Sequence, residues 1–225
     1  MAEVGTGCDK KAPMKTLLSA PEKKFIMWLA PKFPAWTTSR MLTMMTVLWT
    51  LGVIGFGMLA GRTGNLHWLW LSSVMIFMQW FTDCFDGAIG RARNEGLIKW
   101  GFYMDHFLDF VFMCAILVGY SYLFQDTSRQ IVFFLIPVFG SFLTNSYLGF
   151  AATNEFKITF LGAGPTEARI GFIVLNTALI LGGVRWLEAA LPWVLGGSLV
   201  LLCVVVLRSS RYIWQLDMEA KANRA

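Results

Sequence analysis

Between residues 41 and 207 the chain passes through six stretches without Asp, Glu, Lys or Arg, at 41–61, 63–82, 110–125, 130–154, 170–184 and 189–207. A bilayer core about 30 Å thick takes roughly 20 apolar residues when crossed as a helix. Two stretches, 110–125 and 170–184, are short, and each extends at its N-terminal side, through Gly101–Asp109 and through Thr166–Arg169. The pattern therefore predicts six spanning helices, at about 41–61, 66–85, 100–124, 130–152, 166–184 and 189–207. Connections as short as Gly61–Leu66 and Gln125–Arg129 leave no room for an inserted domain. The expected fold is an all-α polytopic membrane protein. It has a segment 1–40, one helical domain over 41–207 and a tail 208–225.

Composition agrees. Of 225 residues 56% are hydrophobic and only 15% charged, with a mean hydropathy of +0.56. A soluble domain carries about 25% charged residues, so this chain has too little polar surface to coat a globule in water. Disorder is excluded by the same numbers, since it needs low hydrophobicity and high charge. Cys8, Cys84, Cys114 and Cys203 show no paired spacing, which argues against a zinc site or a disulfide framework. Residues 1–40 are polar and basic, so no secretory signal is expected there.

The net charge of +5 is informative through its distribution. With six spans both termini share a side, and 16 of the 19 Lys and Arg fall there, leaving Arg62, Arg129 and Arg185 on the other. The positive-inside rule makes the terminal side cytoplasmic. Ahead of the first span, Pro21-Glu22-Lys23-Lys24 runs into Phe25-Ile26-Met27-Trp28-Leu29. Pro and Glu suit a helix's first turn. An apolar run flanked by lysines suits a helix lying in the membrane interface; a basic tail drawn to anionic lipid is the alternative. Membrane lipids are thus expected partners, and nucleic acid is not.

Four of the 14 acidic residues fall close together at the expected membrane edge. Asp83 and Asp86 are spaced i, i+3 near the end of the second span, and Asp105 and Asp109 are spaced i, i+4 near the start of the third. Either spacing puts a pair on one helix face, one turn apart. The short loop between makes the helices antiparallel neighbours, so the pairs can face each other. Four such carboxylates repel one another unless cations join them. Oxygen ligands suit hard divalent ions such as Mg²⁺, Mn²⁺ or Ca²⁺. A pair of ions would suit phosphoryl chemistry, where attacking and leaving oxygens both need stabilising. A single Asp at a helix end reads as a solvated cap; Asp109, well inside a span, does not. Gly87 would permit close approach of a ligand to the backbone. Arg91, four residues on, could hold a pyrophosphate oxygen. Gly101 would serve either a nucleotide or helix packing.

Asp83-Cys-Phe-Asp86-Gly87-Ala-Ile-Gly90-Arg91, followed by Gly101-Phe-Tyr-Met-Asp105-His-Phe-Leu-Asp109, resembles the signature of the CDP-alcohol phosphotransferases (phosphatidyltransferases). That signature reads D-x-x-D-G-x-x-A-R, about eight residues, then G-x-x-x-D-x-x-x-D. Gly90 stands where Ala is usual, and nine residues separate Arg91 from Gly101. Asn94 sits where members often have Asn, which puts the extra residue within Glu95–Trp100. The resemblance implies a six-span frame, a homodimer and transfer of a substituted phosphate from a CDP-linked donor to an acceptor hydroxyl, releasing CMP. It implies two Mg²⁺ or Mn²⁺ ions on Asp83, Asp86 and Asp105, with Asp109 as a further ligand and as the general base. It also implies nucleotide and phosphate contacts by Asp83, Gly87, Arg91 and Gly101.

The acceptor is either a lipid or a small polar alcohol. Asp105-His106-Phe-Leu-Asp109 is similar to a form found in the choline and ethanolamine branch, and Gly164-Pro165-Thr166-Glu167 to a Gly-Pro-x-Glu element there. This branch uses diacylglycerol. The chain's length is nearer that of enzymes using CDP-diacylglycerol with inositol phosphate, glycerol phosphate or serine. His106 is an auxiliary proton carrier or a packed, hydrogen-bonded residue; Glu167 is an auxiliary site residue or a helix cap. A cation transporter would need acids near the bilayer midplane, and an intramembrane prenyltransferase would leave Gly87 and Arg91 without a role.

Overall fold

The computed structural model describes residues 18–153 and 164–223. Cys8 and the basic residues Lys10, Lys11, Lys15, Lys157 and Arg224, five of those that set the charge asymmetry, lie outside the described residues. All regular structure among the described residues is helical. A short helix α1 (Ser19–Leu29) precedes six long ones: α2 (Ser39–Thr63), α3 (Trp68–Ala92), α4 (Ile98–Ser121), α5 (Asp126–Thr153), α6 (Pro165–Gly182) and α7 (Arg185–Ala222). Four of them, α2, α4, α5 and α7, are long and apolar enough to cross a membrane. The protein is therefore an integral membrane protein.

The other two long helices, α3 and α6, fall outside that set for a physical reason. They carry the polar side chains that the fold turns inward. Gln79, Thr82 and Asp86 are buried on α3, and Arg169 and Asn176 on α6. Outward faces are apolar instead: Leu181 is 81% exposed and Trp193 83%. In water such a surface would aggregate; against lipid chains it is matched. Helix α7, at 38 residues, is about 57 Å long at 1.5 Å per residue. It runs without a break past position 207, where the sequence pattern ends the last span.

Helix α2 lies against α3 and α4, α6 packs on α3, and α5 joins α4 to α7. The α2–α4 crossing is set by glycines. A Cβ on Gly57 would stand 2.6 Å from the Gly119 Cα, so the two backbones touch there. Close approach of this kind drives helix association where lipid competes with apolar packing. Gly57→Val should therefore destabilise the protein by about 3 kcal/mol, the upper range for an overpacked core. Thermal unfolding in detergent reads this out as a lowered midpoint.

Farther along the bundle, buried polar groups pair across three helices. Asn176 donates through Nδ2 to Ser73 Oγ at 2.9 Å, and its Oδ1 accepts the Tyr120 hydroxyl at 2.8 Å. The Phe25 ring stacks on Trp80 at 6.3 Å and meets Phe85 edge-on at 5.7 Å, seating α1 on α3.

A clustered set of aspartates joined by an arginine

The turn between α3 and α4 fixes both aspartate-bearing helices. Asn94 and Gly96 take left-handed φ values of 52° and 71°, reversing the chain within a few residues. Glu95 accepts from the Ser39 N–H at 3.0 and 3.2 Å, satisfying an orphan donor in the first turn of α2. Arg93 donates to the carbonyls of Phe33, Pro34 and Ala35 at 3.3, 2.6 and 3.1 Å. Arg93 and Glu95 thus staple the turn to the chain leading into α2. Gly90, where Ala is usual, packs on α2: a Cβ there would sit 3.1 Å from the Ser39 side chain.

Across this junction, Asp83 of α3 and Asp105 and Asp109 of α4 converge. One carboxylate oxygen from each lies within 4.8 Å of the others. Asp86 is buried one turn along α3, where its Oδ2 accepts the Thr43 hydroxyl at 2.6 Å. It stays within electrostatic reach of Asp105 and Asp109. Helix α6 contributes a cation. Arg169, 8% exposed, places Nη2 3.1 Å from Asp83 Oδ2 and 2.8 Å from Asp109 Oδ1. Gln79, one turn before Asp83, donates from Nε2 to Asp109 Oδ1 at 3.0 Å. All of these groups belong to one chain.

The remaining expected residues surround this set. The Arg91 guanidinium folds back over Gly87, Nη1 lying 3.2 Å from where a Cβ would be, and the side chain is exposed at the end of α3. No described atom would lie within 4 Å of a Cβ on Gly101, so helix packing does not demand glycine there and the space above it is open. His106 Nδ1 is 3.1 Å from Asp105 Oδ2, with its ring against Phe102 and Tyr147. Glu167 accepts from the Gly164 N–H at 2.9 Å and from the Leu18 N–H at 3.2 Å, capping α6 and tying α1 to it. Glu22 of α1 accepts from Cys84 Sγ at 2.9 Å and from the Thr166 hydroxyl at 3.2 Å. Beneath α1 an apolar cavity of about 360 Å³ opens between α1, α3 and α6, lined by Phe25, Ile76, Trp80 and Ile173, with Thr166 and Arg169 also on its wall.

Three carboxylates gathered with one buried arginine fit a divalent-cation site. The donors are all oxygen, which hard cations prefer. The guanidinium bridging two of them supplies part of the positive charge that such a cluster requires. Sequence reasoning used Arg169 in the charge count and in the extension of the fifth span, gave it no place in the site, and did not mark Gln79 or Thr43. Arg169 carried a signal, because it is an ionisable residue inside an expected span, the same criterion that singled out Asp109.

A family model described as CDP-alcohol phosphatidyltransferase matches residues 36–211. No curated protein matches the chain at a significant level.

Proposed function

The chain belongs to the CDP-alcohol phosphatidyltransferase family, whose members are divalent-metal-dependent transferases of phospholipid synthesis, and from that premise we propose that it moves a phosphoaminoalcohol group from CDP-choline or CDP-ethanolamine to diacylglycerol. The observation that carries a diacylglyceryl substrate is the apolar cavity between α1, α3 and α6, which reaches Arg169 and so adjoins Asp109. An acyl chain seated there would bring its glycerol end toward the carboxylates. CDP-diacylglycerol would use the same wall for its donor chains, so the choice of diacylglycerol as acceptor rests on Asp105-His106-Phe-Leu-Asp109 and Gly164-Pro165-Thr166-Glu167.

In this reading Asp83, Asp86, Asp105 and Asp109 would hold two Mg²⁺ or Mn²⁺ ions, which would neutralise charge on the pyrophosphate. Asp109 takes the proton of the acceptor hydroxyl. That oxygen forms a new bond to the phosphorus bearing the aminoalcohol, the bond from that phosphorus to the CMP oxygen breaks, and CMP leaves with the electron pair. Arg91, exposed at the end of α3 with its guanidinium over Gly87, holds the nucleotide phosphates, and the open space at Gly101 admits the nucleotide. Arg169 keeps the carboxylates together when cations are absent. His106 beside Asp105 serves as an auxiliary proton carrier, and Glu167 supports the site from the start of α6.

The same reading has six spans, with α3 and α6 crossing as polar-faced members of the bundle, both termini and the site cytoplasmic, and a homodimer as the working form. The cluster at one end of α3 and α4 supports chemistry at a membrane surface over a path for ions through it. Helix α1 lies in the interface: Met27 and Trp28 are 60% and 61% exposed on it, beside the exposed Lys23 and Lys24.

Purified protein with Mg²⁺ or Mn²⁺ should release CMP from CDP-choline or CDP-ethanolamine when diacylglycerol is supplied, and chelation with EDTA should stop it. CMP release only from CDP-diacylglycerol with inositol phosphate, glycerol phosphate or serine would move the protein to the other branch. Ion flux in proteoliposomes with no CMP release from any donor would overturn the enzymatic assignment of the site.

A further inference from the structure

Gln79 stands one turn before Asp83 on the buried face of α3 and is 1% exposed. Its amide faces Asp109, 30 positions away in the chain, with Nε2 3.0 Å from Oδ1. The same oxygen accepts from Arg169 at 2.8 Å. Every hydrogen bond and ion pair to Asp109 among the described residues thus falls on Oδ1, from two donors on two different helices. Rotation of the carboxylate would break both. The orientation of the Gln79 amide is itself forced, because a flip would set its carbonyl oxygen against a carboxylate oxygen.

The other half of the amide strengthens the case. Gln79 Oε1 is buried with no hydrogen-bonding partner among the described residues. A buried, unpaired carbonyl has a cost that an apolar residue of the same size would not incur. Packing alone would therefore favour Leu or Met at this position. The two donors also differ in kind. The charge of Arg169 is what a bound cation would replace, whereas a neutral amide has no such competitor.

We propose that Gln79 is a positioning residue for the transfer reaction, fixing Asp109 through Oδ1 so that Oδ2 is the oxygen presented to the acceptor hydroxyl. This rests on the reading of Asp109 as the base in CMP-releasing transfer. A carboxylate free to rotate still binds charge but spends less time in the productive orientation. The loss then appears in turnover and not in donor binding.

The test is Gln79→Met, which keeps the volume and removes the donor, assayed by CMP release alongside the wild type. The kcat should fall by about tenfold to a hundredfold, as for an active-site group displaced by about 1 Å. KM for the CDP donor and the thermal midpoint should stay near wild-type values. A kcat within about twofold of wild type, or kcat, KM and midpoint all shifting together, would overturn the proposal. Should Gln79→Met fail to fold, Gln79→Asn decides, since its shorter arm keeps a buried amide but withdraws it from Asp109. Its kcat should also fall about tenfold, and an unchanged kcat would sink the idea. A wild-type protein that releases no CMP is a different outcome, which overturns the enzymatic reading and this inference along with it.

Discussion

Asp109→Asn should lower CMP release by about a thousandfold, in the middle of the range for loss of a general base, while the protein remains folded. The geometry makes this more than a charge deletion. Arg169 and Gln79 both donate to Oδ1, so the Asn side chain must turn its carbonyl oxygen toward them. Its NH₂ group then occupies the Oδ2 position and meets the acceptor hydroxyl as a donor, where an acceptor is needed. Stability should hold, because the substitution removes one of several crowded negative charges and keeps the shape. The measurement is kcat with the thermal midpoint recorded in parallel. Turnover equal to wild type would show that another group takes the proton, and His106, 3.1 Å from Asp105, would be next to test.

The second large effect concerns Arg169. Arg169→Met should lower the thermal midpoint by on the order of 10 °C in EDTA, corresponding to about 3–5 kcal/mol for removing one partner of a buried ion pair. The guanidinium bridges Asp83 and Asp109 at 3.1 and 2.8 Å, and without it these carboxylates and Asp105 face each other uncompensated. Adding Mg²⁺ or Mn²⁺ should restore much of the loss, and raise the variant's midpoint by more than it raises the wild type's. Arg169→Lys should fall between the two, since one ammonium is a poorer bridge between two carboxylates than a planar guanidinium. A variant midpoint that ignores divalent cations would mean that the aspartate cluster does not bind them.

Several features were legible because they are local. Six long helices follow from the charge-free runs, and their observed limits lie within a few residues of the expected ones at most ends. The exceptions are the C-terminal ends of α3, which runs on to Ala92 past the expected limit at 85, and of α7, whose continuation through Ala222 shows no apolar run and so left no mark in the hydropathy pattern. The i, i+3 and i, i+4 spacings predicted that each aspartate pair would share a helix face, and the short loop predicted that α3 and α4 would be adjacent. Instead α2 packs against both, and the aspartates of α3 and α4 meet through their side chains. Neither the spacings nor the loop predicted the division of labour within the four. Three aspartates converge, while Asp86 also engages Thr43 on α2. Nothing in the spacing distinguishes Asp86 from Asp83, because the difference lies in which neighbouring helix each one meets.

The sequence by itself determined the membrane class, the helix order and which helices carry the aspartates that cluster, because each depends on periodicity and on charges made conspicuous by apolar surroundings. Tertiary structure alone decided which groups join that cluster. Arg169 reaches Asp109 across 60 positions, and Gln79 across 30. Those contacts follow from α6 packing on α3 and from α2 lying against both α3 and α4. Helix packing is set by shape at a few points, such as the touching backbones at Gly57 and Gly119. A one-dimensional pattern records which face of a helix is polar. It does not record which partner that face will meet.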